Sequence, residues 1–396
     1  MNETSRAGRF DAAVVGGGVV GASAAYCLSR AGLRVVLIEA GAVASGASGA
    51  AAGMLGAQLE VEEPGPLLAL ALRGRRLFDT LVPALEEATG LSLGYRPEGI
   101  VRVALDEEGA QVLHATAKQQ EALGLRARWV EAADLASVLG LPEPPRVEGA
   151  VLLEEDGQIE PEALTAALIA SAPHLRLMLG RQAVSIRPAA RGWSVDLAGG
   201  ASVEADRVLL ATGCGSGPLL SGLGVRLSVP PVKGEMLVLQ GPTPLRRTVF
   251  GPGAYLVPKA SGRLYLGATM EPGATDTAPS LAGSRMLLDG GVRLFDALWP
   301  GGAPGLRIAG WRVGLRPGSP DGLPILGPVP GHRGLFVATG HLRNGILLGP
   351  VSGWLLSAWM QGSDPLVALE EATGADLPPA AHLDDLAPFL PDRLAR

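Results

Sequence analysis

The sequence contains few cysteines, few aromatic residues and no strong excess of either charge. Its 396 residues include only two cysteines, Cys27 and Cys214. Two cysteines are too few for a disulfide framework or a cysteine-based metal centre, so we expect no metal and a reducing, cytoplasmic location. The formal net charge of −6 provides no basic surface for nucleic acid or anionic lipid.

Long apolar segments are also lacking. The charge-free apolar run at 346–360 is interrupted by glycine, proline and serine. It is too short for a bilayer, and we interpret it as a buried helix. Arg6 and Arg9 precede an apolar run that contains a glycine-rich turn, so we expect neither a signal peptide nor a membrane partner. With 47% hydrophobic and 18% charged residues, the composition is typical of a globular protein.

The most informative segment joins a short apolar strand to a Gly-x-Gly-x-x-Gly turn at 16–21. Glycines let a pyrophosphate approach backbone N–H groups at a helix N-terminus, because no Cβ atom intervenes. The following residues predict a helix over 22–31 and a second strand over 34–38. That strand ends at Glu39, where a carboxylate binds ribose hydroxyls and disfavours a 2′-phosphate. The segment therefore predicts a dinucleotide site.

The order of predicted elements indicates an α/β (α+β) protein. A Rossmann-like dinucleotide-binding domain is interrupted by a strand-rich substrate domain with a large mixed or antiparallel sheet. Apolar spacing predicts long helices over 67–89, 107–123 and 284–298. The expected cofactor-binding segments are 1–55, 148–225 and 311–374, the expected substrate-domain segments are 56–147 and 226–310, and residues 375–396 form a C-terminal tail.

A second strand–turn–helix pattern covers 339–350. Its helix N-terminus offers unpaired N–H groups and the positive end of a helix dipole. A nicotinamide has no use for a second such site, whereas a reduced flavin carries negative charge near N1 and O2. Two cradles in one chain therefore favour FAD over NAD. No cysteine lies near this pattern, so we expect the FAD to be noncovalent.

Arg316 is a candidate for binding a substrate carboxylate. It follows an apolar strand, and a guanidinium there suits a charge-assisted grip of about 1.5–3 kcal/mol per bond. Two alternatives stay open, because Arg316 could instead pair with Asp321 or lie on the surface. The same role is open to three other arginines, Arg312, Arg333 and Arg343.

Three further residues have two interpretations each. The Tyr255 hydroxyl could help Arg316 hold a carboxylate, or Tyr255 could be a half-buried strand aromatic. Met270 could line a small pocket or fill the core. His341 could act as an acid–base group, or it could contribute its backbone beside the helix N-terminus.

Together these residues resemble the D-amino-acid-oxidase family of FAD-dependent flavoproteins. The resemblance covers essentially the whole chain to about residue 374. Within the family, the chain is most similar to the branch that oxidises glycine for thiamine biosynthesis. The segments that carry it are 51–57, 261–263 with 267–270, 314–317 and 340–347.

The resemblance implies a set of site residues. With the glycine-rich turn, the expected FAD contacts are Gly16, Gly18, Val19, Val20, Gly21, Glu39, Ala40, Ala47, Ser48, Ala52, Gly53, Met54 and the backbone of Val184. The expected flavin-ring contacts are His341, Leu342, Arg343, Asn344, Gly345, Ile346 and Leu347. Arg316 and Tyr255 are implied as the carboxylate clamp, Met270 as part of the substrate pocket and the Arg343 carbonyl as the amine acceptor.

The implied reaction is oxidative deamination of glycine, or of small amines such as sarcosine or D-alanine. The partners are the amino acid and O2, and the products are an imine or glyoxylate, ammonia and hydrogen peroxide. The amine must be neutral, and no buried base stands out, so we expect a positively charged, desolvated pocket to lower its pKa. The resemblance also implies a homo-oligomer, specifically a tetramer.

Three residues depart from the family pattern. Gln58 stands where similar members carry histidine, Leu342 replaces an aromatic residue, and Cys214 occupies a position expected to be small. We expect the first two to bear on the substrate pocket. The alternative functions are a broader D-amino acid oxidase or dehydrogenase, the flavin domain of a tRNA-modifying enzyme, and a noncatalytic dinucleotide-binding module.

Overall fold

The structure is a computed structural model that describes residues 9–61, 63–299, 305–374 and 376–394. Within these ranges the chain forms nineteen strands and eleven α-helices. The strands are β1 (Phe10–Val15), β2 (Val35–Ile38), β3 (Met54–Leu55), β4 (Ile100–Ala104), β5 (Ala127–Val130), β6 (Gly149–Leu153), β7 (Gly157–Gln158), β8 (Leu175–Met178), β9 (Ala183–Pro188), β10 (Trp193–Leu197), β11 (Ser202–Leu210), β12 (Pro231–Gln240), β13 (Thr248–Gly251), β14 (Ala254–Pro258), β15 (Arg263–Gly267), β16 (Glu271–Pro272), β17 (Arg307–Pro317), β18 (Ile325–Pro328) and β19 (Leu335–Thr339).

The helices alternate with these strands along the chain. They are α1 (Val19–Arg30), α2 (Ala47–Ala50), α3 (Ala57–Glu60), α4 (Pro66–Thr89), α5 (Glu107–Ala122), α6 (Ala132–Leu139), α7 (Pro161–Ala170), α8 (Ser216–Ser221), α9 (Leu281–Leu298), α10 (Gly345–Gln361) and α11 (Pro365–Thr373). Short 3₁₀ turns cover Gly213–Gly215, Pro379–Ala381, Ala387–Phe389 and Pro391–Leu394.

Among the described residues, eight strands form a sheet around β1. Its main order is β18-β19-β11-β1-β2-β8, and the β9–β10 hairpin extends from β11. Strands β19, β11, β1, β2 and β8 run parallel. Alternate residues of β1 face opposite sides, because strand side chains alternate. Ala12 and Val14 pack with helices α1, α4, α7 and α10, whereas Ala13 and Val15 pack toward the hairpin.

A second sheet of nine described strands has the order β16-β12-β15-β14-β13-β4-β6-β5, with β17 paired to the other edge of β12. It is antiparallel except for the parallel pair β4–β13. One face packs under α9, where Leu256 and Leu266 meet Leu287 and Leu294. The other face carries Met236, Val238, Tyr255 and Tyr265 in a smaller cluster. This second face is the one available to a ligand between the sheets.

The predicted mixed α/β architecture is confirmed. Strand β6 pairs with β4 and β5, and β17 pairs with β12, so both belong to the nine-stranded sheet. The predicted boundaries at 148 and 311 instead place β6 wholly, and β17 mostly, in cofactor-binding segments. The division of the chain into domains remains a prediction.

The predicted long helices are confirmed to within a few residues as α1, α4, α5 and α9. The largest differences are at the starts of α1 and α9, which each begin three residues before the prediction. The Ser280 side chain accepts a hydrogen bond from Gly283 N at 2.9 Å, so α9 begins three residues before the predicted start at 284.

The run 346–360 forms most of α10 and is buried, as predicted. It packs along α1, where Gly349 and Gly353 lie against Val19 and Ser23. Within the part of the chain that the structure describes, no helix combines the length and apolar character needed to cross a membrane.

The described part of the C-terminal tail, 376–394, packs against the helical side of the first sheet. Ala381 and Phe389 are fully buried in the same cluster as α4 and α10. Arg73 Nε on α4 also donates to the Ala381 carbonyl at 2.9 Å. The tail is therefore part of the folded core.

Candidate active site

A cavity of about 1060 Å³ lies between the two sheets. The carboxyl ends of parallel strands β1, β11 and β19 contribute Val15, Ala211 and Thr339. The open face of the second sheet contributes Met236 and Tyr255. Ligands of open α/β sheets bind at this carboxyl edge, and the volume is at the upper end for a small-molecule site.

Most of the residues predicted to bind the cofactor meet at this cavity. Gly21 and Leu347 do not line it, whereas every other predicted cofactor contact does. A Cβ atom on Gly21 would lie 1.9 Å from the Gly16 carbonyl oxygen, so Gly21 closes the turn instead of facing the cavity. Leu347 is buried inside α10.

Glu39 organises the nucleotide end of the cavity. Its Oε2 accepts a hydrogen bond from Gly17 N at 2.6 Å, and its Oε1 accepts one from Gly41 N at 2.8 Å. These bonds fix a carboxylate at the end of β2 with lone pairs still free for ribose hydroxyls. Nearby, Ser48 Oγ accepts a hydrogen bond from Val19 N at 3.0 Å, which ties α2 to the start of α1.

The N-terminus of α10 forms the second cradle. Leu348 N donates to the Asn344 carbonyl at 2.8 Å, and the N–H groups of Gly345 and Ile346 precede this bond at the cavity wall. The preceding turn is fixed by Leu342 N, which donates to the Pro317 carbonyl at 2.9 Å. The Asn344 Oδ1 atom is buried without a hydrogen-bond partner among the described residues. The site therefore has polar groups left to bind a ligand.

His341 supports this turn with its ring. The ring is buried, and its Nε2 lies 3.0 Å from Ser352 Oγ on α10. Burial lowers the pKa of His341 to about 4, so the imidazole is neutral near pH 7. This favours a structural role for the ring over acid–base catalysis.

Arg316 extends from β17 into the cavity wall. Its Nη1 donates to the Thr269 carbonyl at 3.0 Å, which leaves other guanidinium N–H groups available. The guanidinium lies directly over the backbone of β12, since a Cβ atom on Gly234 would be 2.1 Å from Arg316 Nη1. Burial lowers the pKa of Arg316 from its usual high value.

The alternative pairing of Arg316 with Asp321 does not occur. Asp321 instead accepts hydrogen bonds from Arg393 of the tail at 2.8 and 3.1 Å. Arg312 binds the Gly49 carbonyl and the Glu162 carboxylate, the latter at 3.1 Å, and it does not line the cavity.

Of the other competing arginines, Arg333 is exposed away from the cavity, whereas Arg343 lines it. Tyr255 and Met270 also line the cavity. Tyr255 is buried, and burial raises its pKa to about 12, so its hydroxyl stays protonated and can donate. Among the described residues, the only hydrogen-bond partner of this hydroxyl is the Met236 sulfur at 4.0 Å. Met270 is 44% exposed, which excludes the core-filler interpretation.

Residues 11–359 match the family model described as DAO, FAD dependent oxidoreductase. The chain belongs to this FAD-dependent oxidoreductase family. It is 38% identical over 357 residues to a glycine oxidase from Geobacillus kaustophilus, which covers 88% of this chain and 92% of that protein. It is 34% identical to the bifunctional protein ThiO/ThiG of Synechocystis sp. over 88% of this chain and 51% of that protein. The crystal structure of glycine oxidase from Geobacillus kaustophilus superposes with a TM-score of 0.84 at 35% identity, covering 97% of this chain and 98% of that chain.

Sequence reasoning missed three charged residues that line the cavity of this FAD-dependent oxidoreductase, Glu60, Arg181 and Glu235. Only Glu60 among them is paired with a predicted site residue. Glu60, the last residue of α3, lines the cavity and accepts a hydrogen bond from Arg343 Nη2 at 2.9 Å. Burial raises the pKa of Glu60, while the Arg343 and Arg316 guanidinium groups oppose that shift. The only local signal was an acidic residue soon after the small-residue segment 51–57, because its partner is 283 positions away.

The three departures from the family pattern have different positions. Leu342 and Cys214 line the cavity. The expectation that Gln58 bears on the substrate pocket is wrong in one respect, because Gln58 does not line the cavity. Gln58 is fully buried outside the cavity lining, where its Nε2 donates to Gln120 Oε1 at 3.0 Å.

Proposed function

We propose that this chain is an FAD-dependent oxidase of glycine and of small amines such as sarcosine or D-alanine. Glycine, O2 and water are converted to glyoxylate, ammonia and hydrogen peroxide. One observation carries the proposal. A single cavity connects the glycine-rich turn, the α10 N-terminus and the side chains of Arg316 and Tyr255.

FAD is held noncovalently along this cavity. Glu39 would hold the ribose of the adenosine half, and backbone groups near Gly18 and Val19 would hold the pyrophosphate. The N–H groups of Gly345 and Ile346, at the N-terminus of α10, would hold the flavin end and would favour negative charge on it. When bound, FAD supplies the two-electron acceptor for the reaction.

The substrate carboxylate is held by Arg316 and Tyr255. The Arg316 guanidinium donates charge-assisted hydrogen bonds, and the protonated Tyr255 hydroxyl adds a neutral one. Both side chains are fixed before substrate binds, because each lies against a strand where glycine leaves room. Gly234 lies under Arg316, and a Cβ atom on Gly267 would be 2.4 Å from the Tyr255 ring. Preorganised donors lose little freedom on binding.

The substrate amine must lose a proton before oxidation. For an amine with a pKa of about 10.4, deprotonation near pH 8 costs about 3 kcal/mol. Arg316 and Arg343 both line the cavity, and their positive charge disfavours the ammonium form. Glu60 offsets the charge of Arg343 and limits this effect. The Arg343 carbonyl accepts the hydrogen bond of the neutral amine.

Anaerobic mixing with glycine, sarcosine and D-alanine tests the proposal directly. The absorbance of the purified protein near 450 nm is expected to bleach with glycine and return when oxygen is admitted, with peroxide formed in equal amount. A protein that holds pyridine nucleotide but no flavin would overturn the proposal. Faster bleaching with larger D-amino acids would indicate a broader D-amino acid oxidase.

The proposal extends to the cellular context. The two free cysteines, Cys27 and Cys214, suit a reducing cytoplasm. We propose that the chain forms a homotetramer, and light scattering after gel filtration measures its mass in solution. We also propose that the cofactor-binding and substrate domains are each built from separate segments of the chain.

We further propose that the imine product supplies thiazole formation in thiamine biosynthesis. A strain that lacks the gene is then expected to grow only when thiazole is supplied, which tests that role.

A further inference from the structure

A buried polar network lies beside the cavity, and it contacts α3. Its central group is the Asp156 carboxylate, which is fully buried in the turn between β6 and β7. Asp156 accepts hydrogen bonds from Gln58 N at 3.2 Å, from Leu59 N at 2.9 Å and from Arg75 Nη1 at 2.8 Å. Neither Asp156 nor Arg75 lines the cavity. The network therefore acts on the cavity only through the residues that it holds.

Side-chain amides complete the network. Gln58 Oε1 accepts a hydrogen bond from Arg75 Nη1 at 2.8 Å, and Gln120 Nε2 donates to the Gln58 carbonyl at 3.0 Å. Burial raises the pKa of Asp156, and the Arg75 guanidinium opposes that shift. Because these buried polar groups are mutually paired, the network has one well-defined geometry.

Helix α3 depends on this network because it has little stability of its own. It is a single turn, and its N-cap residue, Gly56, has no side chain to accept a hydrogen bond. The backbone N–H groups of the second and third helical residues, Gln58 and Leu59, are the ones that an N-cap side chain normally satisfies. The Asp156 carboxylate takes that place from a distant part of the chain. A lone helical turn is otherwise unstable in water.

The far end of α3 reaches the cavity. Glu60 is its last residue, and its carboxylate accepts the hydrogen bond from Arg343 Nη2 at 2.9 Å. Arg343 belongs to the turn between β19 and α10, whose backbone forms the second cradle. The single turn of α3 thus lies between the buried Asp156 carboxylate at one end and the Glu60–Arg343 ion pair at the other.

We propose that Asp156 is a positioning residue for amine oxidation. It holds α3 so that Glu60 keeps Arg343, and with it the turn that contains the amine acceptor, in place. Asp156 itself touches neither the substrate nor the flavin. The inference rests on the proposed function and adds a residue that acts on the site from outside it.

A double-mutant cycle tests this role in the FAD-loaded enzyme. The substitutions are Asp156→Asn, Glu60→Gln and their combination, measured as kcat, KM and the Kd of glycolate from the change in flavin absorbance. Each single variant is expected to lower kcat/KM for glycine roughly tenfold. The double variant is expected to match Glu60→Gln alone, because Asp156 acts through Glu60. Multiplied losses in the double variant would overturn the inference.

Glu155→Gln is the matched control. Glu155 also binds Arg75, but it makes no described bond to α3 and its side chain is 41% exposed. This variant is expected to keep wild-type kinetics. If Asp156→Asn fails to fold, Asp156→Ser removes the carboxylate that accepts from the Gln58 and Leu59 N–H groups without overfilling the buried site. Its loss is also expected to vanish in the Glu60→Gln background, and persistence there would contradict the inference.

Hydrogen exchange separates this inference from the proposed function. Backbone amides in 57–60 are expected to exchange faster in Asp156→Asn than in wild type or Glu155→Gln, whether or not glycine is the substrate. Unchanged exchange in this segment would refute the positioning role. Failure of the wild-type enzyme to oxidise glycine would instead refute the proposed function.

Discussion

Replacing Arg316 by alanine removes the predicted grip on the substrate carboxylate. One guanidinium N–H is bound to the Thr269 carbonyl at 3.0 Å, and the remaining donors permit two bonds to a carboxylate. At about 1.5–3 kcal/mol for each charge-assisted bond, the loss is about 3–6 kcal/mol. That corresponds to a decrease of roughly 10²- to 10⁴-fold in kcat/KM for glycine.

Steady-state peroxide production measures this loss, with flavin content determined from the absorbance ratio at 450 and 280 nm. Arg316→Lys keeps the charge without the planar fork, so an intermediate decrease of roughly 10- to 10²-fold is expected. Arg333→Ala deletes the same side chain at an exposed site away from the cavity and is expected to be neutral. Wild-type kinetics in Arg316→Ala at full flavin occupancy would refute the clamp.

Three other predictions concern the packing and charge of this site and of the fold. Gly234→Ala places a Cβ atom 2.1 Å from Arg316 Nη1, so kcat/KM is expected to fall toward that of Arg316→Ala while flavin stays bound; normal kinetics would contradict this packing. His341 has a folded-state pKa of about 4, below the unfolded value near 6.5, so its contribution to stability is lost as pH falls through this window. Between pH 7 and pH 4, the free energy of unfolding in urea is expected to fall by up to about 3 kcal/mol less in His341→Gln than in wild type. An equal fall in both proteins would disprove the low pKa of His341. Phe389→Ala empties a fully buried site and is expected to cost about 3–5 kcal/mol in thermal unfolding, whereas Leu281→Ala, at a side chain that is 90% exposed, serves as the neutral control.

Local chemistry made much of the site predictable. The turn at 16–21 and the carboxylate of Glu39 belong to one βαβ unit, and the pattern at 339–350 belongs to one strand–turn–helix unit. In such units the glycines, the strand ends and the helix starts set the geometry within a few residues. The cavity therefore contains these predicted groups, apart from the turn-closing Gly21 and the core residue Leu347.

The pairing of charges was not predictable in the same way. Arg316 has Asp321 five positions away, yet Asp321 is bound by Arg393, which lies 72 positions further on. The partner of Arg343 is Glu60, 283 positions away. No pattern of neighbouring residues encodes such distances, because sheet pairing and helix packing bring these segments together.

The amino-acid sequence by itself determined the two cradles for a dinucleotide, since each needs only glycine spacing and a short run of adjacent elements. Tertiary structure decided that Arg316 and Arg343 line the cavity and that Arg312 does not. It also decided that the Glu60 carboxylate pairs with Arg343. It likewise decided that Gln58 lies in the core beside Asp156. Those outcomes depend on which side chains become buried together, and burial is a property of the whole packed chain.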